Sequence, residues 1–394
     1  MGRRSSGKLC FVVNHGAFFA SHRLPIAESA MRAGWQVTLV TGQAGSAQME
    51  LPSVEKIAAA GIQHTRTFFR SDSVNPIREL IGLIQLTSYL IRTRPDVVHC
   101  VSPKGVLYGG IAARLARIQS IVLAVSGMGY AFTPVSNGGI ARYVISHVYR
   151  ALAGFAFGHD NKRVIVQNGD DRQTLLQSGL ACVQELILIP GSGVDLSSFQ
   201  SVRIEEKSKL VVLPARMLRD KGVAEYVDAI RRIKKHVPDW RFVLAGAADY
   251  HNPSSVPVEQ IEQWQHEGLV DWLGHVENMV TYYTDASIVC LPSYREGMPK
   301  ALLEAAAAGC AVITTDAVGC REAILPGVTG ELVPVRDVER LSEAILGLIN
   351  DKKRREAYGV AGMQLAKSRY GIDAVISSTL DIYEDLLNVG QQKL

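Results

Sequence analysis

The chain has 394 residues, 47% of them hydrophobic and 20% charged, which is enough for two or three folded domains with sizeable cores. Its 42 Lys and Arg residues outnumber its 38 Asp and Glu residues by four. This mild excess argues against a dedicated nucleic-acid-binding protein, which would show a concentrated basic stripe. It is compatible with an anionic small molecule or with weak attraction to an anionic membrane surface.

The cysteines and the N-terminus together indicate a cytoplasmic protein. No C-x-x-C pair occurs among the six cysteines, and most of them lie in apolar runs, where cysteine acts as a small core residue. The apolar run after the basic N-terminus is too short for a signal peptide. No stretch reaches the ~18 apolar residues of a membrane-spanning helix. We therefore expect a cytoplasmic chain.

Apolar β-branched runs alternate with helical patterns in the first half of the chain. These runs are continuously apolar, as expected of strands that are covered on both faces in a parallel sheet. Helical patterns cover 21–33 and 78–92, and the second ends at Arg94-Pro95. The predicted strands are residues 8–14, 35–41, 96–102, 120–125, 163–167 and 186–190.

A second strand–helix series begins near residue 209. Such alternation predicts right-handed βαβ units and hence a second doubly wound α/β domain. The polar stretch QSVRIEEKSK after Phe199 is the expected linker. We therefore place the domains at 1–200 and 201–370, with a C-terminal helix at 371–394 packing back toward the first domain. The predicted strands are KLVVLPA, RFVLAGA, VDWLG, SIVCLPS, AVITTD and GELVPV, with helices at about 222–236, 258–267, 299–308 and 337–349.

The segment 292–310, PSYREGMPKALLEAAAAGC, leads from a strand through a loop into a helix that Pro299 is suited to begin. Ligands of doubly wound sheets bind at the carboxyl ends of the strands, which is where this loop lies. Because the amides around Gly297 and Met298 precede a helix, they can bind an anion, and Lys300 adds positive charge beside them. The segment therefore predicts an anion site.

Two carboxylates of this segment, Glu296 in the loop and Glu304 in the helix, admit two interpretations. With a diphosphate at the anion site, Glu296 would lie near one end of the ligand and Glu304 could accept from hydroxyls at the other. Alternatively, Glu296 merely favours the helix N-terminus and Glu304 is solvated. The spacing leaves both interpretations open.

The segment LPARMLRDKG, residues 213–222, follows the first strand of the second domain and lacks a glycine-rich phosphate loop. Arg216 and Lys221 could together neutralise a diphosphate leaving group without a metal ion. An exposed basic turn is the alternative. No D-x-D pair follows a strand, and Asn168-Gly169-Asp170-Asp171 is better interpreted as a carboxylate helix cap than as a metal site. We expect no metal and no other cofactor.

The two segments together resemble glycosyltransferase family 4. The resemblance rests on the arginine and lysine of ARMLRDKG followed about eighty residues later by E-G-M-P-x-x-x-x-E. The segments FFASHRLP, SPKG and SGMGYAF also resemble enzymes that add an N-acetylhexosamine to undecaprenyl-diphosphate sugars. The resemblance implies a retaining nucleotide-sugar transferase of the GT-B fold, with two Rossmann-like doubly wound domains facing a central cleft. Further matching stretches are AGA at 245–247, LGHVENM at 273–279, PGSGVDLSSF at 190–199 and TTDAVGCREAI at 314–324.

The resemblance also implies roles for the matching positions of the donor site. Arg216 and Lys221 would hold the donor diphosphate, Glu296 would contact the transferred sugar, and Glu304 would bind the ribose hydroxyls. Of these, Glu296, Arg216 and Lys221 are the predicted catalytic residues. The loop at His275-Val276 would meet the base, and Gly16 would allow close approach to the phosphates. The predicted donor-binding residues are Gly16, Arg216, Lys221, His275, Val276, Gly297, Met298, Pro299, Lys300 and Glu304.

The first domain is expected to bind the acceptor, but one feature departs from the family. Many members place a histidine after the strand that corresponds to SIVLAV, where this chain has Ser126-Gly127-Met128-Gly129. Neither His99 nor His15 can be assigned a catalytic role, and a core position is the alternative for His99. The predicted acceptor-binding residues are His15, His99, Lys104, Ser126 and Gly127.

The aromatic and cationic stretch between Gly127 and Lys162 admits contact with a membrane. A helix lying on a membrane would place its aromatic residues at the headgroup level, but the same pattern suits a helix packed on the domain core. The residues that can share one helix face are Tyr143, Val144, Val148, Tyr149 and Leu152, flanked by Arg142 and Arg150.

We therefore predict a cytoplasmic glycosyltransferase that is peripherally associated with the inner membrane. We expect no nucleic-acid partner. The predicted donor is a UDP-linked hexose or N-acetylhexosamine, with GDP-mannose as the next choice, and the acceptor is a polyprenyl-diphosphate-linked glycan. Two alternatives stay open: a GT-B-fold nucleotide-sugar epimerase and a sugar-nucleotide-binding protein without chemistry. An NAD-linked oxidoreductase is disfavoured because the loops NHGAFFA and PARMLRDK lack G-x-G-x-x-G.

Overall fold

The computed structural model describes residues 7–43, 47–70, 75–127, 140–249 and 252–392. It divides into two compact units, Met1–Ile189 with Val375–Leu394, and Pro190–Ala374. The chain therefore enters the second unit at Pro190, about ten residues before the expected linker. The reason is that Val194 N donates to Tyr370 O across 2.7 Å and Phe199 is buried in the second unit's core.

The first unit is built on a seven-stranded parallel sheet of strand order β3-β2-β1-β4-β5-β6-β7. The order reverses between β1 and β4, which is the topological switch point of a doubly wound sheet. The strand β3 is absent from the predicted strands, because its polar residues alternate with buried ones, unlike the apolar runs of the other strands. The strands are β1 (Lys8–Val13), β2 (Gln36–Gln43), β3 (Gln63–Arg70), β4 (Val97–Val101), β5 (Ser120–Val125), β6 (Lys162–Val166) and β7 (Leu186–Leu188).

Helices cover both faces of this sheet, and the sheet separates the core into two clusters. The first seven are α1 (Gly16–His22), α2 (Leu24–Arg32), α3 (Ala47–Ala59), α4 (Pro76–Thr93), α5 (Pro103–Leu115), α6 (Ile140–Phe157) and α7 (Gly169–Gln177). One cluster holds buried residues of α4, α5 and α6. The other holds residues of α1 and α2 and of the C-terminal helix α14 (Ile372–Gln392), which belongs to this unit from Val375 onward.

The second unit has a six-stranded parallel sheet of order β10-β9-β8-β11-β12-β13. The prediction of two doubly wound α/β domains is therefore confirmed. The strands are β8 (Ser208–Pro214), β9 (Arg241–Ala245), β10 (Asp271–Trp272), β11 (Ala286–Leu291), β12 (Ala311–Thr315) and β13 (Gly330–Val333). The helices are α8 (Val223–Ile233), α9 (Val258–His266), α10 (Val280–Asp285), α11 (Lys300–Ala307), α12 (Val338–Asn350) and α13 (Lys352–Arg369).

Within the described ranges, no helix combines the length and the apolar character that crossing a bilayer requires. Five of the six cysteines are buried free thiols, and Cys182 is exposed. The cysteines thus pack as small core residues, with that single exception.

Candidate functional site

Two loops at the carboxyl ends of neighbouring strands bring Lys221 and Glu296 together. Lys221 follows β8 and Glu296 follows β11, and these two strands pair side by side in the second sheet. Lys221 Nζ donates to Glu296 Oε1 across 2.5 Å, and both side chains are largely buried. Two of the three predicted catalytic residues, Lys221 and Glu296, are therefore in contact at the edge where doubly wound sheets bind ligands.

The β8 loop is held against the β11 loop by backbone contacts. Tyr294 N donates to Asp220 O across 2.8 Å, and Ser293 Oγ donates to the same oxygen across 3.1 Å. Gly222 has φ +71°, and a Cβ there would lie 2.2 Å from Pro292 O. Only glycine permits this approach, so Gly222 fixes the position of Lys221, its neighbour in the chain.

A third loop, after β12, supports Glu296 from its other side. Glu296 N donates to Val318 O across 2.9 Å, and Gly319, at φ +77°, lies so close that a Cβ would be 2.3 Å from Glu296 O. Burial raises the pKa of the Cys320 thiol to about 12, and the charge of Glu296 contributes further. Nothing in the spacing of TTDAVGCREAI indicates that Gly319 contacts Glu296, so the sequence identifies this stretch only as part of the family resemblance.

The helix α11 begins at Lys300, with Pro299 in extended conformation as its N-cap residue, one position later than expected. Lys300 Nζ lies 3.4 Å from Glu304 Oε1, so these two predicted donor-binding side chains pair with each other one helical turn apart. Met298 is buried beside Gly191, where a Cβ would lie 3.2 Å from Met298 Cγ. Glu304 is therefore paired with a cation, and its side chain is 21% exposed.

Tyr283 is buried in the core of the second unit, where its hydroxyl interacts with the charge of Glu304. Burial raises the pKa of the Tyr283 hydroxyl well above its ordinary value, and the neighbouring charge of Glu304 raises it further. The phenol is therefore neutral and able to donate a hydrogen bond, so it can orient the Glu304 carboxylate.

Arg216 and the His275-Val276 loop are more open than the Lys221–Glu296 pair. Arg216 Nη1 donates to Asp249 Oδ2 across 2.9 Å, and its side chain is about half exposed. The structure therefore pairs Arg216 with a carboxylate that sequence analysis did not single out. His275 is exposed in the loop after β10, whereas Val276 packs against the core.

The first loop of the first unit places His15 and Gly16 at the start of α1. His15 caps this helix, its Nδ1 accepting from Phe18 N across 3.2 Å. Gly16 N donates to Glu50 Oε1 across 3.0 Å, and Glu50 is buried with its second oxygen lacking a hydrogen-bond partner. A Cβ on Gly16 would lie 2.9 Å from Glu50 Oε1, so the absent side chain makes room for this carboxylate.

His99 lies in the core, which contradicts an acceptor contact and supports the alternative interpretation. It is 1% exposed on β4, stacks on Phe11 at 5.0 Å between ring centroids, and its Nδ1 lies 2.5 Å from the Tyr383 hydroxyl of α14. Burial holds the pKa of His99 well below its ordinary value, with a further contribution from Arg23. The imidazole is therefore neutral at physiological pH.

Two of the remaining predicted acceptor residues lie beside a cavity, and one is engaged in an ion pair. Ser126 and Gly127 line a mostly apolar cavity at the ends of α5 and α6. Lys104 Nζ donates to Glu79 Oε1 across 3.1 Å and to Arg70 O across 2.5 Å, so its charge is matched within the first unit. A role for Ser126 or Gly127 in acceptor binding remains a prediction.

Part of the predicted membrane segment falls outside the described residues. Residues 128–139 are not described, and neither are the side chains of Arg142, Tyr143 and Val144. Farther along α6, Val148 and Leu152 are exposed, whereas Tyr149 packs against the core.

A metal-ligating cluster of three or more His, Cys, Asp or Glu residues is absent from the described ranges. The cap of α7 is the amide of Asn168, whose Oδ1 accepts from Asp171 N across 2.7 Å, and not the expected carboxylate. Asp171 is wholly buried and accepts from Asn168 Nδ2 across 2.9 Å.

Two family models match the chain, one in each half. "Glycosyl transferase 4-like" matches residues 8–157, and "Glycosyl transferases group 1" matches residues 195–364. These matches span β1 to α6 of the first unit and nearly the whole of the second, including all three loops of the site.

Two similar proteins are named for activities on lipid-linked sugars. The N,N'-diacetylbacillosaminyl-diphospho-undecaprenol α-1,3-N-acetylgalactosaminyltransferase of Campylobacter jejuni is 27% identical, with 88% of this chain and 91% of that protein covered. The UDP-Gal:α-D-GlcNAc-diphosphoundecaprenol α-1,3-galactosyltransferase of Escherichia coli is 24% identical, with 71% of this chain and 73% of that protein covered. The crystal structure of Anabaena HepE in complex with UDP superposes with TM-score 0.74 at 16% identity, covering 96% of this chain and all of the other.

Proposed function

This chain belongs to glycosyltransferase family 4 and is a nucleotide-sugar-dependent transferase of the GT-B fold, and we propose that it glycosylates an undecaprenyl-diphosphate-linked glycan. The proposed donor is a UDP-linked hexose or N-acetylhexosamine, transferred with retention of anomeric configuration. The product would serve the assembly of cell-surface polysaccharide or of a glycoprotein glycan.

The contact between Lys221 and Glu296 is the observation that carries the proposal. An ammonium group and a carboxylate meet at the carboxyl ends of β8 and β11, with the Lys300–Glu304 pair on the helix that follows. A diphosphate needs the cations, whereas the hydroxyls of a sugar and a ribose need carboxylate acceptors. A nucleotide sugar carries both kinds of group in one molecule.

We assign the chemistry to these side chains as follows. Arg216 and Lys221 stabilise the negative charge that develops on the departing UDP. The bond between the anomeric carbon and the diphosphate oxygen breaks, and its electron pair leaves with the diphosphate. The acceptor hydroxyl bonds to the same face of the anomeric carbon, and its proton passes to the departing oxygen. Glu296 orients the transferred sugar, and Glu304 binds the ribose. No metal takes part in this scheme.

The names of similar proteins support the choice of substrates. The Campylobacter and Escherichia enzymes both act on sugars attached to diphospho-undecaprenol, and the second uses UDP-galactose. HepE binds UDP. Because an undecaprenyl chain is held in a bilayer, we also propose that the protein works at the inner face of the membrane as a peripheral protein.

A nucleotide-release assay tests the proposal. The protein is incubated with a panel of UDP- and GDP-sugars in EDTA, with and without a short polyprenyl-diphosphate sugar. UDP release that needs both a UDP-hexose or UDP-N-acetylhexosamine and the lipid acceptor supports it. Conversion of the donor without acceptor indicates an epimerase. Tight donor binding without turnover on any acceptor indicates either that the true acceptor is missing from the panel or that the protein only binds.

A further inference from the structure

The helix α4 exposes an apolar stripe along its length. The stripe consists of Ile77, Leu80, Ile81, Ile84 and Ile91, whose exposed fractions range from 44% to 71%. These positions recur at helical spacing and so lie on one face. The opposite face buries Gly82, Leu86, Tyr89 and Leu90 against the sheet of the first unit. The helix is therefore apolar on both sides.

The helix α4 packs on the first unit through its buried face, and its exposed apolar stripe takes no part in that packing. A surface helix of a globular protein ordinarily presents charged and polar residues to water, and a contiguous exposed apolar patch marks a site of interaction. In the described part of the chain, no element of the first unit packs over the five stripe residues closely enough to bury them.

A second exposed apolar group lies on the same side of the sheet. Val148, Leu152 and Phe155 of α6 have one-turn and two-turn spacing and are 39% to 53% exposed. The helix α5 packs against both α4 and α6, and all three contribute buried residues to one core cluster. The two apolar groups therefore flank α5 on the outer side of one helical layer.

The exposed charged side chains described within this layer are basic. By sequence, α4, α5 and α6 together contain six basic residues and one acidic residue, Glu79. Glu79 is buried and bound to Lys104, so it contributes no negative charge to the surface. The exposed cations are Arg92, Arg114 and Arg150 of the helices and Arg94 and Arg117 just after them, and they outnumber the two exposed carboxylates near the helix ends, Asp96 and Asp160. The guanidinium of Arg114 lies over the Phe155 ring at 4.5 Å, which joins cationic and apolar groups in one surface.

We propose that the exposed faces of α4 and α6, with the arginines around them, dock on an anionic phospholipid bilayer. An apolar stripe inserts among the acyl chains while surrounding arginines bind lipid phosphates, which is how interfacial helices bind. Charge complementarity favours this partner, because the exposed charged side chains described within α4, α5 and α6 are all basic, which matches an anionic lipid layer. This proposal rests on the proposed function: docking would bring the first unit to the membrane that holds the acceptor.

Sedimentation with lipid vesicles tests this proposal without reference to activity. The full-length protein is mixed with vesicles of phosphatidylethanolamine and phosphatidylglycerol, and separately with phosphatidylcholine vesicles. We expect binding to the anionic vesicles, and binding to the neutral ones weaker by about tenfold or more because the arginine contribution is lost.

Substitutions then identify the face. The double variant Ile81→Asp, Ile84→Asp is expected to bind anionic vesicles about tenfold less tightly or worse, since two charges would enter the acyl region. Its matched control is Val360→Asp, an exposed aliphatic position on α13 of the second unit that is expected to bind as the parent does. Charge reversal in Arg92→Glu, Arg150→Glu should weaken binding to anionic vesicles alone.

Three results would overturn the docking proposal. They are no binding of the parent protein to anionic vesicles, equal binding by the Ile81→Asp, Ile84→Asp variant, and self-association through α4 that this variant abolishes while vesicles stay unbound. Transfer to a short water-soluble acceptor is measured on the same variants and should be unchanged. If the parent itself fails in that reaction, the proposed function fails while the vesicle result stands by itself.

Discussion

Lys221 Nζ donates to Glu296 Oε1 across 2.5 Å, although the two residues are 75 positions apart in the chain. The contact exists because β8 and β11 are neighbours and because Gly222 and Gly319 let their loops approach the Glu296 segment. A cation and a carboxylate held in this way are positioned before any substrate arrives, which is the condition for electrostatic stabilisation of a leaving group.

Replacement of Lys221 by alanine is expected to lower kcat/KM about a hundredfold or more, because the departing diphosphate loses a charge partner. It should also lower the free energy of unfolding by about 1–3 kcal/mol, since the buried Glu296 carboxylate loses its donor. The control is Lys209→Ala, which breaks an exposed pair with Asp239 at 3.3 Å in the same unit. Steady-state kinetics and urea unfolding measure both effects. Equal kcat/KM of the two variants would show that Lys221 does not act on the donor.

Replacement of Arg216 by alanine should abolish transfer and leave the fold intact. Its pair with Asp249 is open to water, so its loss should shift Tm by less than about 2 °C. The matched control is Arg241→Ala, which removes an exposed pair with Asp271 at 3.0 Å in the same unit and should retain full activity. Nucleotide release and thermal unfolding are measured together. Full activity in Arg216→Ala would disprove the assigned role.

Replacement of Gly222 by alanine should damage both stability and donor binding. The new Cβ would meet Pro292 O at 2.2 Å, in addition to the strain of a positive φ. Gly268 has nearly the same φ, +69°, with no heavy atom within 4 Å of its added Cβ, so Gly268→Ala carries the conformational strain alone. The difference in UDP affinity between the variants, measured by calorimetry, isolates the effect of the contact. Parent-like affinity in Gly222→Ala would show that this contact does not position the site.

The buried His99 should make the stability of the protein dependent on pH. Because its pKa in the folded protein is held well below the ordinary 6.5, the unfolded chain binds more protons below about pH 6.5. The free energy of unfolding should therefore fall as the pH is lowered through 6.5 toward 5, with a slope for this one group that approaches about 1.4 kcal/mol per pH unit below pH 6.5. Burial also lowers the pKa of His159, to about 4, and adds to the same trend.

The variant His99→Phe should keep the stacking on Phe11. Its free energy of unfolding should depend less steeply on pH, because one titrating group is lost. His266→Phe, at an exposed histidine of α9, is the control and should keep the parent slope. Urea unfolding at several pH values measures the slopes. An unchanged slope in His99→Phe would mean that its imidazole does not titrate on unfolding in this range.

Sequence reasoning located the strands well because most of them are buried on both faces and therefore read as continuous apolar runs. It missed β3, whose polar residues alternate with buried ones, and it placed the domain boundary at a polar stretch although Val194 and Phe199 already pack in the second unit. A polar stretch indicates that the chain is exposed there. It does not indicate whether the apolar residues before it pack in the core of the first unit or of the second.

The loops of the site could be found from spacing, but their partners could not. Arg216, Lys221 and Glu296 are candidates because they follow strands, and their roles rest on the family resemblance, whereas the carboxylate that pairs with Arg216 lies after a different strand at Asp249. The role of Gly319 depends on the order of β11 and β12 in the sheet and on a positive φ. The exposed stripe of α4 was also missed, because apolar residues on both faces of a helix resemble a buried helix in sequence.

The most direct test of the proposed reaction is analysis of its product. The protein is incubated in EDTA with an α-linked UDP-N-acetylhexosamine or UDP-hexose and a short polyprenyl-diphosphate sugar, and the lipid product is examined by mass spectrometry and NMR. We predict an acceptor heavier by one sugar residue, joined through an α linkage. A β linkage would contradict retention, and an unchanged acceptor with every donor of the panel would contradict the transfer itself.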